Sequence, residues 1–149
     1  MIVATGDLGR HTGEVTMVDG GFDPIHAGHI DYFRAAAALG RPVLCNVSSD
    51  GYVSTKHAPL LPEGQRVRVL DAIRYLDLVH LSSTTTAEVL RALRPAVYAK
   101  GDDWKGRLPE EELRICDELG IEIAYLDTVT QSSSQLLAAY REQAYGETT

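Results

Sequence analysis

Cysteine is scarce in this 149-residue chain: only Cys45 and Cys116 are present. Each stands in an apolar stretch, "PVLCNV" and "ELRICDEL". Two such residues supply neither a disulfide framework nor a metal-ligand pattern, so both read as packing residues. Long hydrophobic runs are also missing. No stretch approaches the roughly 20 apolar residues of a membrane-spanning helix. No charged start followed by an apolar core reads as a signal peptide, so the expected location is cytoplasmic, with no membrane partner. Positive charge is in short supply: 14 Lys and Arg face 21 Asp and Glu, for a net charge of −7. Non-specific binding to nucleic acid needs a basic face and is therefore excluded. A small anion held by a few local cations is not.

What the chain does contain is a regular alternation. "EVTMVDG", "PVLCNVS", "LDLVHL", "AVYA" and "IEIAYL" are short apolar runs bounded by turn residues, and read as five strands. Helical segments separate them. "HIDYFRAAAAL" closes on Gly40, and "QRVRVLDAIRYL" aligns Val67, Leu70 and Ile73 on one stripe. "TTAEVLRAL" opens with Thr85 and Glu88 at capping-box spacing. "LPEEELRICDELG" begins with a proline and three glutamates, and "SSSQLLAAYREQ" spaces Ser132 and Gln135 as another capping box. "DGYVSTKHAPLLPEG" reads as a long loop. The expected fold is α/β: a Rossmann-like parallel five-stranded sheet with helices on both faces. Residues 1–13 lack periodicity and read as an N-terminal arm, 14–142 as one domain, and 143–149 as a tail.

In such sheets ligands bind beyond the carboxyl ends of the strands. The polar segments of the chain fall there. "GGFDPIHAGH" follows the first strand, "SSDGYVSTK" the second, "KGDDWKGR" the fourth and "TQSSSQ" the fifth. Gly20 and Gly21 let backbone N–H groups approach a ligand, and the helix that follows offers its N-terminus to an anion. His26 and His29, three residues apart, share one face of that first turn. Two imidazoles so placed can donate to phosphate oxygens whose charge grows in a transition state. The plainer alternative is that one caps the helix while the other packs on Phe22.

"FDPIHAGH" resembles the HxGH motif of the nucleotidylyltransferase superfamily, whose members join a nucleoside triphosphate to a phosphorylated acceptor and release pyrophosphate. "AIRYLD", "KGDDWKGR" and Ser132–Ser134 follow in the order of its cytidylyltransferase branch, and the whole is most similar to the glycerol-3-phosphate cytidylyltransferases over about residues 14–140. The resemblance implies roles residue by residue. Phe22 and Asp23 would shape the active-site turn. His26 and His29 would stabilise the reacting phosphorus and the leaving pyrophosphate, with Lys56 as a loop lysine on the phosphates. Arg66, Lys100, Gly101, Asp103, Trp104, Ser132, Ser133 and Ser134 would bind the nucleotide. It also implies a homodimer.

The chain departs from that pattern in its last motif. Asp127 stands near an expected arginine and Thr130 at an expected glycine. Lys100, in a Lys-Gly pair, can replace the missing charge. That pair and "HAGH" also resemble the heptose-phosphate adenylyltransferases. The expected nucleotide is CTP, because "GDDWKGR" and "IRYLD" resemble the cytidylyl branch more closely than the adenylyl one; the resemblance implies a base pocket there, which the Trp104 ring would close against a purine and in which Asp103 would contact the base. ATP on a heptose-type sugar phosphate is the alternative, and a non-catalytic nucleotide-binding module is the rival from another class. No carboxylate cage is visible, so Mg²⁺ is expected to arrive with the triphosphate. A phosphate monoester is already mostly a dianion at neutral pH, so no general base is required.

Overall fold

The computed structural model describes residues 1–128 and 133–145, without the side chains of residues 133 and 134. Five parallel strands form one sheet: β1 (Thr16–Gly20), β2 (Val43–Ser48), β3 (Leu78–Ser82), β4 (Val97–Gly101) and β5 (Glu122–Leu126). Their order is β3-β2-β1-β4-β5. The first four are mostly buried runs without alternation, because helices cover both faces. Helices α1 (Ala27–Ala37), α2 (Asp50–Val53), α3 (Glu63–Asp71), α4 (Thr86–Leu93), α5 (Glu110–Leu119) and α6 (Ser133–Tyr145) complete the fold. One apolar core gathers Phe33, Val43, Cys45 and Leu70; the other gathers Leu44, Leu90, Leu93 and Ile115. The α/β, Rossmann-like architecture expected from the strand–helix alternation is therefore the one observed.

Local signals behave as their chemistry requires. The Thr85 hydroxyl accepts from the Glu88 N–H at 3.2 Å and starts α4. Gly120 ends α5 at a φ of +69°, a left-handed conformation that favours glycine. Three details differ from expectation. The segment after β2 is not all loop, since α2 forms within it. Helix α3 stops at Asp71, so Ile73 lies past its end and the buried stripe is Val67 and Leu70, joined by Arg66. Residues 1–13 do not stand apart as an arm. Val3 donates its N–H to the Val79 carbonyl at 2.8 Å, Thr5–His11 form a 3-10 turn, and Leu8 is fully buried in the second core.

The sheet opens where its strand order reverses. β1 pairs with β2 along its whole length, but with β4 only at Thr16↔Val97 and Met17↔Tyr98. Beyond that point the Tyr32 hydroxyl from α1 fills the gap. It accepts from the Asp19 N–H at 3.3 Å and donates to the Ala99 carbonyl. A side chain thus takes the place of a ladder bond and holds the strands apart. Tyr32→Phe removes both contacts and is expected to cost about 1–3 kcal/mol, the usual penalty for stranding a buried polar group; urea unfolding measures it.

Candidate active site

The parted ends of β1 and β4 form one wall of a cavity of about 580 Å³. This is the switch-point crevice in which open α/β sheets bind ligands. The turn after β1 builds its floor. Phe22 adopts a φ of +52°, and its ring folds back so that a Cβ on Gly20 would lie 2.9 Å from the ring. Only glycine fits there. The Phe22 ring then meets His29 edge-on at 5.1 Å and Phe33 at 5.2 Å. Asp23 is buried, and its carboxylate accepts from the Leu60 and Leu61 N–H groups at 2.8 and 2.9 Å. It ties the loop bearing Lys56 to the turn bearing the histidines.

The two histidines form a capping box of their own. His26 is the N-cap of α1, and its Nδ1 accepts from the Gly28 N–H at 3.1 Å. His29 Nδ1 accepts from the His26 N–H at 3.2 Å. The rings stack at 3.9 Å. Both structural duties considered from the sequence, capping and packing on Phe22, are therefore present. They also set the chemistry: with Nδ1 engaged as an acceptor, a neutral ring carries its proton on Nε2. His29 lines the cavity; His26 supports it from behind. Burial first, and the His26 charge second, lower the His29 pKa to about 3. At neutral pH His29 is an uncharged donor.

That shift has a consequence for stability. Between pH 6.5 and 3 the unfolded chain binds a proton at His29 that the folded chain refuses, so the contribution is whole above pH 6.5 and is lost as pH falls. His80, also held down by burial, acts in the same direction. Stability is expected to decline from pH 6.5 to 5, before carboxylates titrate, and His29→Asn should flatten part of that slope in urea titrations at stepped pH.

Three cations line the same cavity as His29. Lys100 is buried, with Nζ 4.4 Å from the centre of the Trp104 ring and 3.9 Å from Asp19 Oδ2. The Arg107 guanidinium lies 5.9 Å from the same ring. Lys56 sits 5.4 Å from the centre of the Tyr52 ring, and both line the cavity. Asp103 lies close to Gly101, where a Cβ would fall 2.7 Å from its Oδ1 and the exposed carboxylate would have to swing aside.

Of the residues singled out from sequence, Gly20, Gly21, Phe22, Asp23, His29, Lys56, Lys100, Gly101, Asp103 and Trp104 line one cavity. Arg66 does not. Its guanidinium is buried and donates to the carbonyls of Leu61, Gly21 and Ser48 and to Asp50 Oδ1 at 2.8 Å. It clamps the loops behind the site rather than presenting charge to a nucleotide. The same bond holds the Asp50 carboxyl below its usual range. Ser132 and its capping box lie outside the described residues; Ser133 and Ser134 open α6, which brings Gln135 to the cavity. Asp19, Tyr32 and Arg107 were not picked out. Arg107 closes the "KGDDWKGR" segment, and Asp19 directly precedes the glycine pair, so position was the available signal.

The cytidylyltransferase-like family profile matches residues 17–135, and the chain belongs to that family. It is a nucleotidyltransferase. Among related sequences, the bifunctional protein HldE of Streptomyces coelicolor is 39% identical over 140 residues, 89% of this chain and 29% of that protein. The FAD synthase of Methanothrix thermoacetophila is 38% identical over 95 residues, 63% of this chain and 66% of the synthase. The chain spans about a fifth of the HldE protein of Gluconobacter oxydans, which is 37% identical over 99 residues. A solved lipopolysaccharide core biosynthesis protein from Thermoplasma volcanium shares the fold, with a TM-score of 0.68 at 23% identity, over 78% of this chain and 98% of that one. Among the described residues no helix is long and apolar enough to cross a membrane.

Proposed function

We propose that the chain transfers the adenylyl group of MgATP to the phosphate of a hydroxylated acceptor, a sugar phosphate of the heptose type, and releases pyrophosphate. The observation that supports the transfer is the neutral His29 donor at the start of α1, lining the same cavity as Lys100. An acceptor phosphate oxygen attacks the α-phosphorus in line. The bond from the α-phosphorus to the bridging oxygen breaks, and its electron pair leaves with pyrophosphate. His29 donates a hydrogen bond without giving up its proton. Lys56, Lys100 and Arg107 neutralise oxygens of the triphosphate. Catalysis is then positioning and charge stabilisation.

Mg²⁺ is part of the substrate in this reading. Among the described residues no group of three His, Cys, Asp or Glu could cage an ion. Asp103 nevertheless presents hard oxygen donors at the cavity wall and would suit a cation that keeps most of its water.

One point favours ATP over the expected CTP. A relative is an FAD synthase, and FAD carries an adenylyl group. Lys100 and Arg107 also lie near the Trp104 ring, so that edge of the cavity offers cations to a triphosphate as well as a ring to a base. A second cavity, also about 580 Å³, carries hydroxyl and amide groups together with Glu88, Glu111 and Glu112, a lining that suits the hydroxyls of an acceptor rather than its phosphate. Asn46, Ser48, Ser82 and Thr84 line it, and Tyr52 belongs to both cavities. Steady-state rates with ATP and CTP over a panel of sugar phosphates test the assignment. At least about tenfold higher kcat/KM is expected with ATP, since a site that hydrogen-bonds one base leaves polar groups unpaired with another. Equal or better turnover with CTP would restore the cytidylyl reading.

A further inference from the structure

A line of buried polar side chains runs across the sheet from the cavity to the N-terminal segment. Asp19 on β1 is registered with Asn46 on β2, and Asn46 with His80 on β3. Cross-strand partners project from the same face of a sheet, and these three are joined by hydrogen bonds. Asn46 Nδ2 donates to Asp19 Oδ1 at 2.9 Å, His80 Nδ1 meets Asn46 Oδ1 at 2.8 Å, and Thr5 Oγ1 meets His80 Nε2 at 2.9 Å. Asn46 and His80 are each 1% exposed.

Chemistry fixes the direction of every bond. A carboxylate only accepts, so the Asn46 amide must turn its NH₂ to Asp19 and its oxygen to His80. His80 must then donate from Nδ1. Burial lowers its pKa and keeps the ring neutral, so Nε2 accepts and the Thr5 hydroxyl donates. At the other end, the second oxygen of Asp19 accepts from Thr86 Oγ1 at 3.1 Å and faces Lys100 Nζ at 3.9 Å.

We propose that Thr5, His80 and Asn46 are positioning residues that hold the Asp19 carboxylate, and through it Lys100, in register with the cavity. The N-terminal segment is thereby part of the catalytic apparatus, although the family match begins only at residue 17. The role assigned to Lys100 rests on the transfer reading above; the orientation of Asp19 does not. Loss of the Thr5 hydroxyl strands the Nε2 lone pair while the Asp19 end still keeps the proton on Nδ1, so the ring loses one of its two anchors and Asn46 and Asp19 lose their fixed register.

Thr5 is exposed, so Thr5→Val and Thr5→Ser test the line without disturbing the core. Two readouts are paired: side-chain ¹⁵N NMR of His80, and steady-state kinetics with MgATP. In the unaltered chain His80 should show the Nδ1–H tautomer. Thr5→Val should keep that tautomer, shift the Nε2 resonance as its hydrogen bond is lost, and lower kcat about tenfold, the lower end of what losing an outer hydrogen-bond partner costs, with the KM for ATP changed less than about twofold and Thr5→Ser close to wild type on both readouts. An Nε2–H tautomer in the unaltered chain, or Thr5→Val with unchanged His80 signals or unchanged kcat, overturns the proposal. If the unaltered chain transfers no nucleotidyl group at all, the activity reading falls and the His80 spectra alone decide the orientation of the line.

Discussion

His29→Ala is expected to lower kcat by about 10²–10³, or about 2.7–4 kcal/mol of transition-state stabilisation, the range found on removing one preorganised donor from an oxyanion site. ATP affinity should change much less, because a neutral hydrogen-bond donor gains strength only as charge builds on the phosphate oxygens. His26→Ala should reduce turnover as well, but with an added stability loss of about 0.5–2 kcal/mol, since this residue is also the N-cap of α1. The two duties can be separated. His26→Asn keeps a good N-cap, so it should recover stability in urea unfolding without recovering the rate. Recovery of both would reduce His26 to a cap.

Lys100→Met is expected to lower kcat/KM by about 10²-fold or more, on the scale of losing one charge-stabilising group in a water-poor site. The lysine is 6% exposed and held between Asp19 and Trp104. Its removal takes a cation from the triphosphate and leaves the Asp19 carboxylate facing the same phosphates. The loss should therefore be partly relieved in the double variant Lys100→Met, Asp19→Asn, which removes the repulsion together with the attraction. Steady-state kinetics of the two single variants and the double variant measure this coupling. A double variant no better than Lys100→Met would show that Asp19 does not act through charge.

The strands were legible because a buried parallel strand is a short continuous apolar run, and five of these alternate with amphipathic segments. The site was legible because its residues cluster just past strand ends, where the topology collects them. Other features left no pattern. Arg66 occupies a helix position that any surface arginine could hold. Its partners are carbonyls from three separate segments, and only the fold brings them together. Asp19 ends an apolar strand and reads as part of it. The segment 1–13 is anchored by single residues such as Val3 and Leu8 in extended and 3-10 backbone, which have no helical or strand period to detect. His80 reads as a packed residue of β3. It is one, and its two ring nitrogens also join the line that ends at the cavity.

The preference for CTP arose from local likeness in "KGDDWKGR". That likeness concerned which residues stand near the base, and a base pocket is chosen by shape and by unpaired donors and acceptors. The structure places two cations near the Trp104 ring, which lines the cavity. The Lys-Gly pair marks a residue of a different kind, because Lys100 is a buried charge in the cavity rather than a solvated one.

Nucleotidylyl transfer itself is tested most directly by following the α-phosphorus and the pyrophosphate together. The chain is incubated with MgATP labelled at the α-phosphate and with a set of sugar phosphates. Label should pass to a sugar-phosphate product and pyrophosphate should appear in equal amount, with neither formed when the acceptor is omitted. Release of inorganic phosphate in place of pyrophosphate, or ATP binding with no label transferred to any acceptor, would contradict the assignment.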